Sequence, residues 1–175
     1  MKIGLALSLT ITLATIATLP DTGQAQTAAT PHPGPSERPY GFSIELSFTP
    51  DALSSLNKHS EKVIVSASYY GSPTKAGSIH ANEVGQIDLG SEQARVPAKP
   101  GPVVLSGSKF EAEKMRWVDG DVGVNVNVYT ARLSSPDNLI SCDFIDGLIA
   151  NVKASQPVPL RCALISEPVE AKLKP

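Results

Sequence analysis

Apolar and polar residues alternate with a period of two along much of the chain after Tyr40. Residues 42–48 place an apolar side chain at every even position, and residues 122–129 place valine at every even position. Residues 63–70 show the same period, with the apolar set starting at Val63. Because successive side chains of a β-strand point to opposite faces, each run predicts a strand with one buried face and one solvated face.

Shorter apolar runs separated by turn residues predict the remaining strands. The segment Ser72–Glu83 is polar and predicts an exposed loop. Two Asp-Gly pairs, Asp119-Gly120 and Asp146-Gly147, predict tight hairpins, because this pair readily adopts the positive φ angles that such turns require. The predicted strands lie at Val84–Val96 with a break at Gly90, Val103–Leu105, Leu139–Ile145, Leu148–Val152 and Val158–Ile165.

Only short helices are predicted. Thr49 supplies a capping hydroxyl, Pro50 suits the first helical position and Asp51 favours the positive end of the helix dipole. This pattern predicts a helix that ends near Asn57 or Lys58. Residues 109–118 combine helical charge spacing with strand-like alternation, and we interpret them as a helical turn that enters a strand at Met115.

These elements indicate an all-β fold. The fold class that we predict is an antiparallel β-sandwich, or a partly open barrel, of about seven or eight strands with one or two short helices. The division of the chain that we predict is a signal peptide at 1–25, a proline-rich disordered leader at 26–39, a β-sandwich domain at 40–166 and a flexible tail at 167–175.

The N-terminus carries the features of a secretory signal. Lys2 precedes a mostly apolar stretch, and the small residues Gly23 and Ala25 fit a signal-peptidase site with cleavage after Ala25. A retained membrane anchor is the competing interpretation, but threonines and a serine interrupt the stretch, which is short for a span of about 20 apolar residues. We therefore expect a periplasmic or secreted protein with no stable membrane insertion after cleavage.

The two cysteines are predicted to form a structural disulfide. Cys142 shares strand parity with Ile140 and Phe144, and Cys162 shares parity with its own apolar neighbours, so both sulfurs face the core. An oxidising compartment favours the bond, and closing a loop of this length contributes about 3 kcal/mol in the chain-entropy model. A redox-active pair is the alternative, but such pairs usually form a C-x-x-C motif.

Composition excludes several classes of protein. The 175 residues carry 15 basic and 17 acidic side chains, with a net charge of −2, and lack the clustered Lys and Arg that nucleic-acid binding requires. Two cysteines cannot supply a four-thiolate zinc site. No G-x-S-x-G elbow, phosphate-binding glycine loop or dinucleotide motif occurs. We therefore expect no cofactor, and these absences favour a non-enzymatic role over an enzymatic one.

Candidate binding residues lie on the solvated face of the strand at 122–129. Asn125, Asn127 and Tyr129 form an outward row whose amides and phenol suit hydrogen bonding to a sugar or a protein backbone, and Trp117 and Tyr70 extend this candidate set. An ordinary polar sheet face with half-buried aromatic residues is the alternative interpretation of the row.

Metal candidates are weaker. Asp119 and Asp121 flank Gly120 and could offer hard oxygen ligands to calcium, although Asp-Gly is also the expected hairpin sequence. His80 and Glu83 could bind a metal if their loop folded back onto Asp88, although a solvated histidine is the commoner case. The sequence therefore predicts no metal site.

One local resemblance bears on function. Ser106-Gly107-Ser108-Lys109-Phe110, followed by Trp117-Val118-Asp119-Gly120-Asp121, resembles the Ser-Gly and aromatic-x-x-Gly-Asp segments of periplasmic C-type lysozyme inhibitors. The resemblance covers residues 106–121, and the position of both cysteines in the C-terminal third departs from that family's pattern. It implies an inhibitor and transfers no site residue.

These observations favour an exported, non-enzymatic protein that binds a protein partner, as an inhibitor, an immunity factor or an assembly accessory. A carbohydrate- or calcium-binding module is an alternative of a different class. A hydrolase whose catalytic residues meet only in the folded chain is the third hypothesis.

Overall fold

The computed structural model describes residues 38–175, which contain nine strands and two α-helices. The predicted signal peptide and most of the predicted leader lie outside the described residues. The elements in chain order are β1 (Phe42–Phe48), α1 (Pro50–Lys58), β2 (Lys62–Pro73), β3 (Ile87–Pro97), β4 (Gly101–Leu105), β5 (Val118–Thr130), β6 (Ile140–Cys142), β7 (Phe144–Leu148), α2 (Ile149–Ala154), β8 (Val158–Leu164) and β9 (Leu173–Lys174). Two 3-10 helices lie at Gly77–His80 and Ala112–Trp117.

The strands form two sheets with a shared apolar core. One sheet has the order β4-β1-β8-β6, and the other has the order β3-β2-β5-β7-β9. The inner faces meet in a continuous cluster of side chains that are almost fully buried, as the period-two pattern predicts. This cluster includes Phe42, Ile44 and Leu46 of β1, Val63 and Val65 of β2, Val124 and Val126 of β5, and Val158 and Leu160 of β8.

The predicted all-β sandwich with short helices is confirmed, with two refinements. The described residues contain nine strands, and two of the strand pairs are parallel: β1 with β8, and β7 with β9. Alternation along a strand reveals which face is buried but carries no information about the direction of the neighbouring strand. The pairing order and these two parallel contacts therefore emerge only from the three-dimensional structure.

The first helix follows its sequence signals closely. The Thr49 side chain accepts a hydrogen bond from the backbone N–H of Ala52 at 3.2 Å, and Pro50 occupies the first helical position. The helix ends at Lys58, within the predicted range. Ala52 and Leu56 are fully buried, so the helix covers one end of the core.

Both predicted Asp-Gly hairpins are wrong. Residues 118–130 form one continuous strand, in which Gly120 has a φ of +81° and lies in a bulge opposite the step from Gly71 to Ser72. Asp146 and Gly147 lie within β7, paired with β5. The reason is the same in both places: the neighbouring segment, Ala112–Trp117 or Ile149–Ala154, is helical, so no second strand is present to complete a hairpin.

Two strands begin three residues later than the sequence predicts. The strand expected from Met115 begins at Val118, because the 3-10 helix continues to Trp117. The strand expected from Val84 begins at Ile87, and its predicted break at Gly90 is a bulge in which the glycine has a φ of +97°. A positive φ at this position favours glycine, because a side chain there is strained.

The C-terminal residues that the sequence assigns to a flexible tail contribute a strand. Leu173–Lys174 pairs with β7 at the edge of the five-stranded sheet. The buried Asp143 carboxylate accepts the Lys172 N–H at 2.8 Å and lies 3.2 Å from the Lys174 ammonium. These contacts hold the segment against the sandwich.

The two cysteines form a disulfide, as predicted. Cys142 on β6 and Cys162 on β8 are directly opposite one another in an antiparallel pair, with 4.0 Å between their Cα atoms. Both side chains are buried. Among the described residues, no helix is long and apolar enough to cross a membrane.

Candidate functional site

The outer face of the five-stranded sheet carries the predicted row of polar residues. Here "outer face" means the side of β3, β2, β5 and β7 that faces solvent. Asn125 and Asn127 lie on this face, with Tyr129 one step further along β5. Their cross-strand neighbours are also mostly polar, and include Ser66 and Ser68 on β2, Ser91 and Gln93 on β3, and Asp146 on β7.

Several of these polar groups bind one another. The Asn127 amide donates to Asn125 Oδ1, and the Gln93 amide donates to the Tyr129 hydroxyl at 3.1 Å. The side chains of Asn127 and Tyr129 are therefore already hydrogen-bonded to neighbouring side chains on the outer face. Asn125 keeps both of its own amide hydrogens for other acceptors, since only its carbonyl oxygen is used in this contact.

A polar depression lies at one end of the outer face. It encloses about 340 Å³ and is lined by Ser68, Tyr69, Tyr70, Asn82, Gln86, Asp88, Ser91, Asn125 and Asp146. Of the predicted binding residues, Asn125 and Tyr70 line it, whereas Asn127, Tyr129 and Trp117 do not. The residues that sequence reasoning missed come from a loop, Asn82, and from other strands, Asp88 and Asp146. No pattern along the chain connects them.

A hydrogen bond orders one wall of this depression. The Tyr70 hydroxyl donates to Asp146 Oδ1 at 2.6 Å, which ties β2 to β7 across the intervening strand. This hydrogen bond, with partial burial and the carboxylate charge as lesser causes, raises the pKa of Tyr70 to about 12. Tyr70 therefore stays protonated and donates to Asp146 at neutral pH.

The loop at residues 74–86 connects β2 to β3 beside the depression and is anchored at its root. The Thr74 N–H donates to the Trp117 carbonyl at 2.7 Å, and the Gly77 N–H donates to Thr74 Oγ1 at 2.9 Å. Gly77 is buried against Trp117, where an added Cβ would lie 2.9 Å from the Trp117 Cβ atom. Only glycine fits this contact without displacing the loop or the tryptophan.

The same loop is ordered again near its tip. Asn82 Oδ1 accepts backbone hydrogen bonds from Val84 at 3.1 Å and from Gln86 at 2.9 Å. The Asn82 N–H donates to the Gln86 carbonyl at 2.7 Å, which closes a short turn. The Asn82 amide thus fixes the backbone on both sides of Val84.

Trp117 supports this loop and does not line the depression. Its indole stacks on the His80 ring, with 3.9 Å between ring centroids, and the Arg116 guanidinium lies 4.6 Å from the indole centre. Trp117 is thus packed beneath the loop, and its role in binding stays a prediction. His80 contacts this tryptophan, and the metal site that sequence reasoning weighed at His80 and Glu83 is not formed.

Two aliphatic side chains on this loop face solvent. Ile79 is 83% exposed and Val84 is 76% exposed, the largest values among the exposed large apolar residues of the described chain. Sequence reasoning missed both, because it treated Ser72–Glu83 as a polar loop and placed Val84 in the next strand. The available signal was the presence of isolated branched aliphatic residues in an otherwise polar segment.

The half-buried Glu92 carboxylate has a structural role away from the depression. Glu92 accepts hydrogen bonds from the Tyr69 hydroxyl at 2.6 Å, from the Gly107 N–H at 2.6 Å and from both the N–H and hydroxyl of Ser106. Burial, with the Glu92 hydrogen bond and charge as further causes, raises the pKa of Tyr69. The Ser-Gly segment behind the lysozyme-inhibitor resemblance thus acts here as an anchor between β4 and β3.

The acidic pair proposed as a weak metal candidate lies in the bulge of β5. Asp119 and Asp121 are both exposed, on either side of Gly120. Within residues 38–175, no group of three or more His, Cys, Asp or Glu side chains is arranged to hold a metal ion.

Comparison with protein-family models, curated proteins and solved structures finds no match to this chain. The resemblance to lysozyme inhibitors at residues 106–121 is therefore supported only by the local residues that carry it.

Proposed function

We propose that this protein is an exported, non-enzymatic β-sandwich that binds a protein partner through residues 79–84, the tip of the 74–86 loop. The observation that carries the proposal is the exposure of Ile79 and Val84, at 83% and 76%, on an anchored loop. Apolar side chains that bury nothing within their own chain gain free energy when a partner covers them.

Preorganisation of the loop supports this function. The root is anchored to Trp117 through Thr74 and Gly77, and the tip is closed by Asn82. A loop already held in its bound shape loses less conformational entropy on association, so more of the contact energy appears as affinity. Binding residues are commonly carried by loops on rigid sheet scaffolds, and a β-sandwich is a scaffold of this kind.

The kind of partner follows from the chemistry of the tip. Two branched aliphatic side chains suit an apolar pocket or cleft in a folded protein. Insertion of a rigid loop into a cleft is the mode that inhibitor-type proteins use, and this agrees with the inhibitor, immunity or accessory class that the sequence favours. The disulfide and the signal-like N-terminus support a periplasmic or secreted location for the encounter.

The proposal is tested by affinity capture with matched variants. The mature protein, the double variant Ile79→Ser/Val84→Ser and the control Leu133→Ser are immobilised and exposed to extract from the producing organism's export compartment. Leu133 is 55% exposed and lies in the segment after β5, at the opposite end of the sheet from the 74–86 loop. A partner is then purified and its dissociation constant for each form is measured by calorimetry.

We expect a stoichiometric partner that binds the wild type and Leu133→Ser equally and the double variant at least tenfold more weakly. Unfolding temperatures should agree among all three forms, because no replaced side chain is buried. Equal affinity for the double variant, or no partner at all, would refute the proposal.

A further inference from the structure

The polar depression beside the loop is lined by hydrogen-bonding side chains, in contrast to the two aliphatic side chains at the loop tip. Ile79 and Val84 are not part of its lining, although the loop contributes Asn82 and Gln86 to one wall. We infer that the depression is a binding site for a single-ring neutral or amino sugar, or a similar polyhydroxylated small molecule. This inference stands apart from the protein-binding proposal.

The depression presents hydrogen-bond donors in fixed orientations. The side-chain oxygens of Asn82 and Asn125 already accept hydrogen bonds, from Val84 and Gln86 in one case and from Asn127 in the other. These contacts fix how each amide is turned and leave both NH2 groups to donate to a ligand. Fixed amide donors are suited to the oxygens of sugar hydroxyls.

Acceptors lie in the same depression. Asp146 uses Oδ1 to bind the Tyr70 hydroxyl, and Asp88 uses Oδ1 to bind the Gly90 N–H at 2.8 Å. Each carboxylate therefore keeps its second oxygen for a ligand donor. A hydroxyl both donates and accepts, so a ligand with several hydroxyls can satisfy amide donors and carboxylate acceptors together.

Charge narrows the class of ligand. The lining contains the carboxylates of Asp88 and Asp146 and no Lys or Arg. An anionic ligand would meet repulsion without a compensating cation, whereas a neutral ligand would not, and an amine would be attracted. Sugars that carry a carboxylate or phosphate are therefore disfavoured.

Size and shape set a further limit. The volume of about 340 Å³ is near the lower end of small-molecule sites, which span roughly 300–1,000 Å³. The half-buried Tyr70 adds an aromatic surface to one wall, on which an apolar face of a sugar ring can pack. One ring, with extension toward solvent, fits this description.

The test is an NMR titration of the ¹⁵N-labelled mature protein. The probes are glucose, galactose, mannose, N-acetylglucosamine and glucosamine, with glucuronate as the anionic comparison and free lysine as an amine without a sugar ring. Two variants are compared with the wild type: Asn125→Asp, which removes the amide donors at nearly constant shape, and Gln93→Glu, the same change on the outer face beyond the depression.

We expect saturable shifts at the backbone amides of Tyr70, Asn82 and Asn125 with at least one neutral or amino sugar, and none with glucuronate. Asn125→Asp should weaken that binding at least tenfold, while Gln93→Glu should leave it within twofold of wild type. The inference is overturned if none of the five neutral or amino sugars gives saturable shifts, if Asn125→Asp binds as well as wild type, or if lysine matches the best sugar. Because Ile79 and Val84 are unchanged in these variants, the result is independent of the partner experiment.

Discussion

At the scale of single residues, one buried glutamate, Glu61, holds the loop that follows β5. Glu61 is 3% exposed, and its carboxylate accepts the hydroxyl of Ser134 at 2.6 Å and the backbone N–H groups of Ser134, Leu133 and Lys62. Burial alone would raise the pKa of this carboxyl, but the hydrogen bonds together lower it from 4.5 to about 2. The loop after β5 is thus anchored by an ionised side chain.

The pH dependence of stability follows from this shift. A group whose pKa is lowered on folding stabilises the native state above its unfolded value and loses that effect as pH falls through the folded value. The contribution of Glu61 is therefore complete above about pH 4.5 and is lost by about pH 2. We expect Glu61→Gln to lower the free energy of unfolding by about 1–3 kcal/mol at pH 7, the range for buried groups left without partners.

Urea denaturation of wild type and Glu61→Gln between pH 7 and pH 2 measures this difference. The gap between the two proteins should narrow as pH falls below 4.5, and the exposed control Glu113→Gln should follow the wild type throughout. A gap that stays constant down to pH 2 would show that the ionised form of Glu61 is not what stabilises the loop.

The sequence could predict which residues of one strand share a face, but not which residues of other strands lie beside them. Alternation in β5 placed Asn125, Asn127 and Tyr129 on one face, because parity along a strand is a local property. Alternation could not show that Asn125 pairs with Asp146 or that Asp88 lines the same depression, since both facts depend on which strands become neighbours. The exposure of Ile79 was equally hidden, because a loop's path depends on the tryptophan beneath it.

At the scale of elements, the 74–86 loop is held in place by its contact with the 3-10 helix at Ala112–Trp117. Gly77 rests on Trp117, which ends the 3-10 helix before β5, and an added Cβ at Gly77 would overlap the Trp117 carbonyl oxygen. The loop and this helix therefore form a unit, although some 40 residues of chain separate them. Close packing of this kind tolerates little added volume.

We expect Gly77→Ala to loosen this loop. The added methyl group forces Trp117 or the loop backbone to move, so hydrogen–deuterium exchange across residues 74–86 should become faster. Overpacking typically costs about 1–3 kcal/mol of stability. Gly147→Ala is the matched control, because the nearest atom to a Cβ there lies 3.6 Å away. Unchanged exchange in Gly77→Ala would mean that the loop is not held by this contact.

Elements also explain why the two hairpin predictions failed. An Asp-Gly pair offers a positive φ angle, and β5 uses Gly120 in this conformation to form a bulge instead of a turn. The same dipeptide serves a turn or a bulge equally well, so its partner strand decides the outcome. The first helix was predicted correctly because its cap, its proline and its acidic first turn all act within a few residues.

At the scale of the whole molecule, the two sheets carry different features. The four-stranded sheet holds the disulfide, which joins β6 to the central strand β8. The five-stranded sheet presents the depression and the loop at one end, where β2 ends and β5 begins. The sequence revealed the sandwich because half of nearly every strand is apolar, but it could not reveal that β8 runs parallel to β1.

We expect the disulfide to be a substantial part of the stability of the fold. The bond closes a loop between residues 20 positions apart, which corresponds to about 3 kcal/mol in the chain-entropy model. The Cys142→Ala/Cys162→Ala variant should therefore unfold at lower urea concentration, with a free energy of unfolding lower by at least that amount, since two buried sulfurs are also removed. A variant as stable as the oxidised wild type would contradict this role.

If the tip of the 74–86 loop contacts a protein partner, as we propose, a photoreactive side chain at that tip will crosslink to the partner. We therefore propose photo-crosslinking in producing cells, with benzoylphenylalanine placed at position 79 in one form and at position 133 in another. Both positions are exposed, so the probe disturbs packing in neither form. We expect one discrete crosslinked protein from position 79 and none from position 133. The same band from both positions, or no band from position 79, would contradict it.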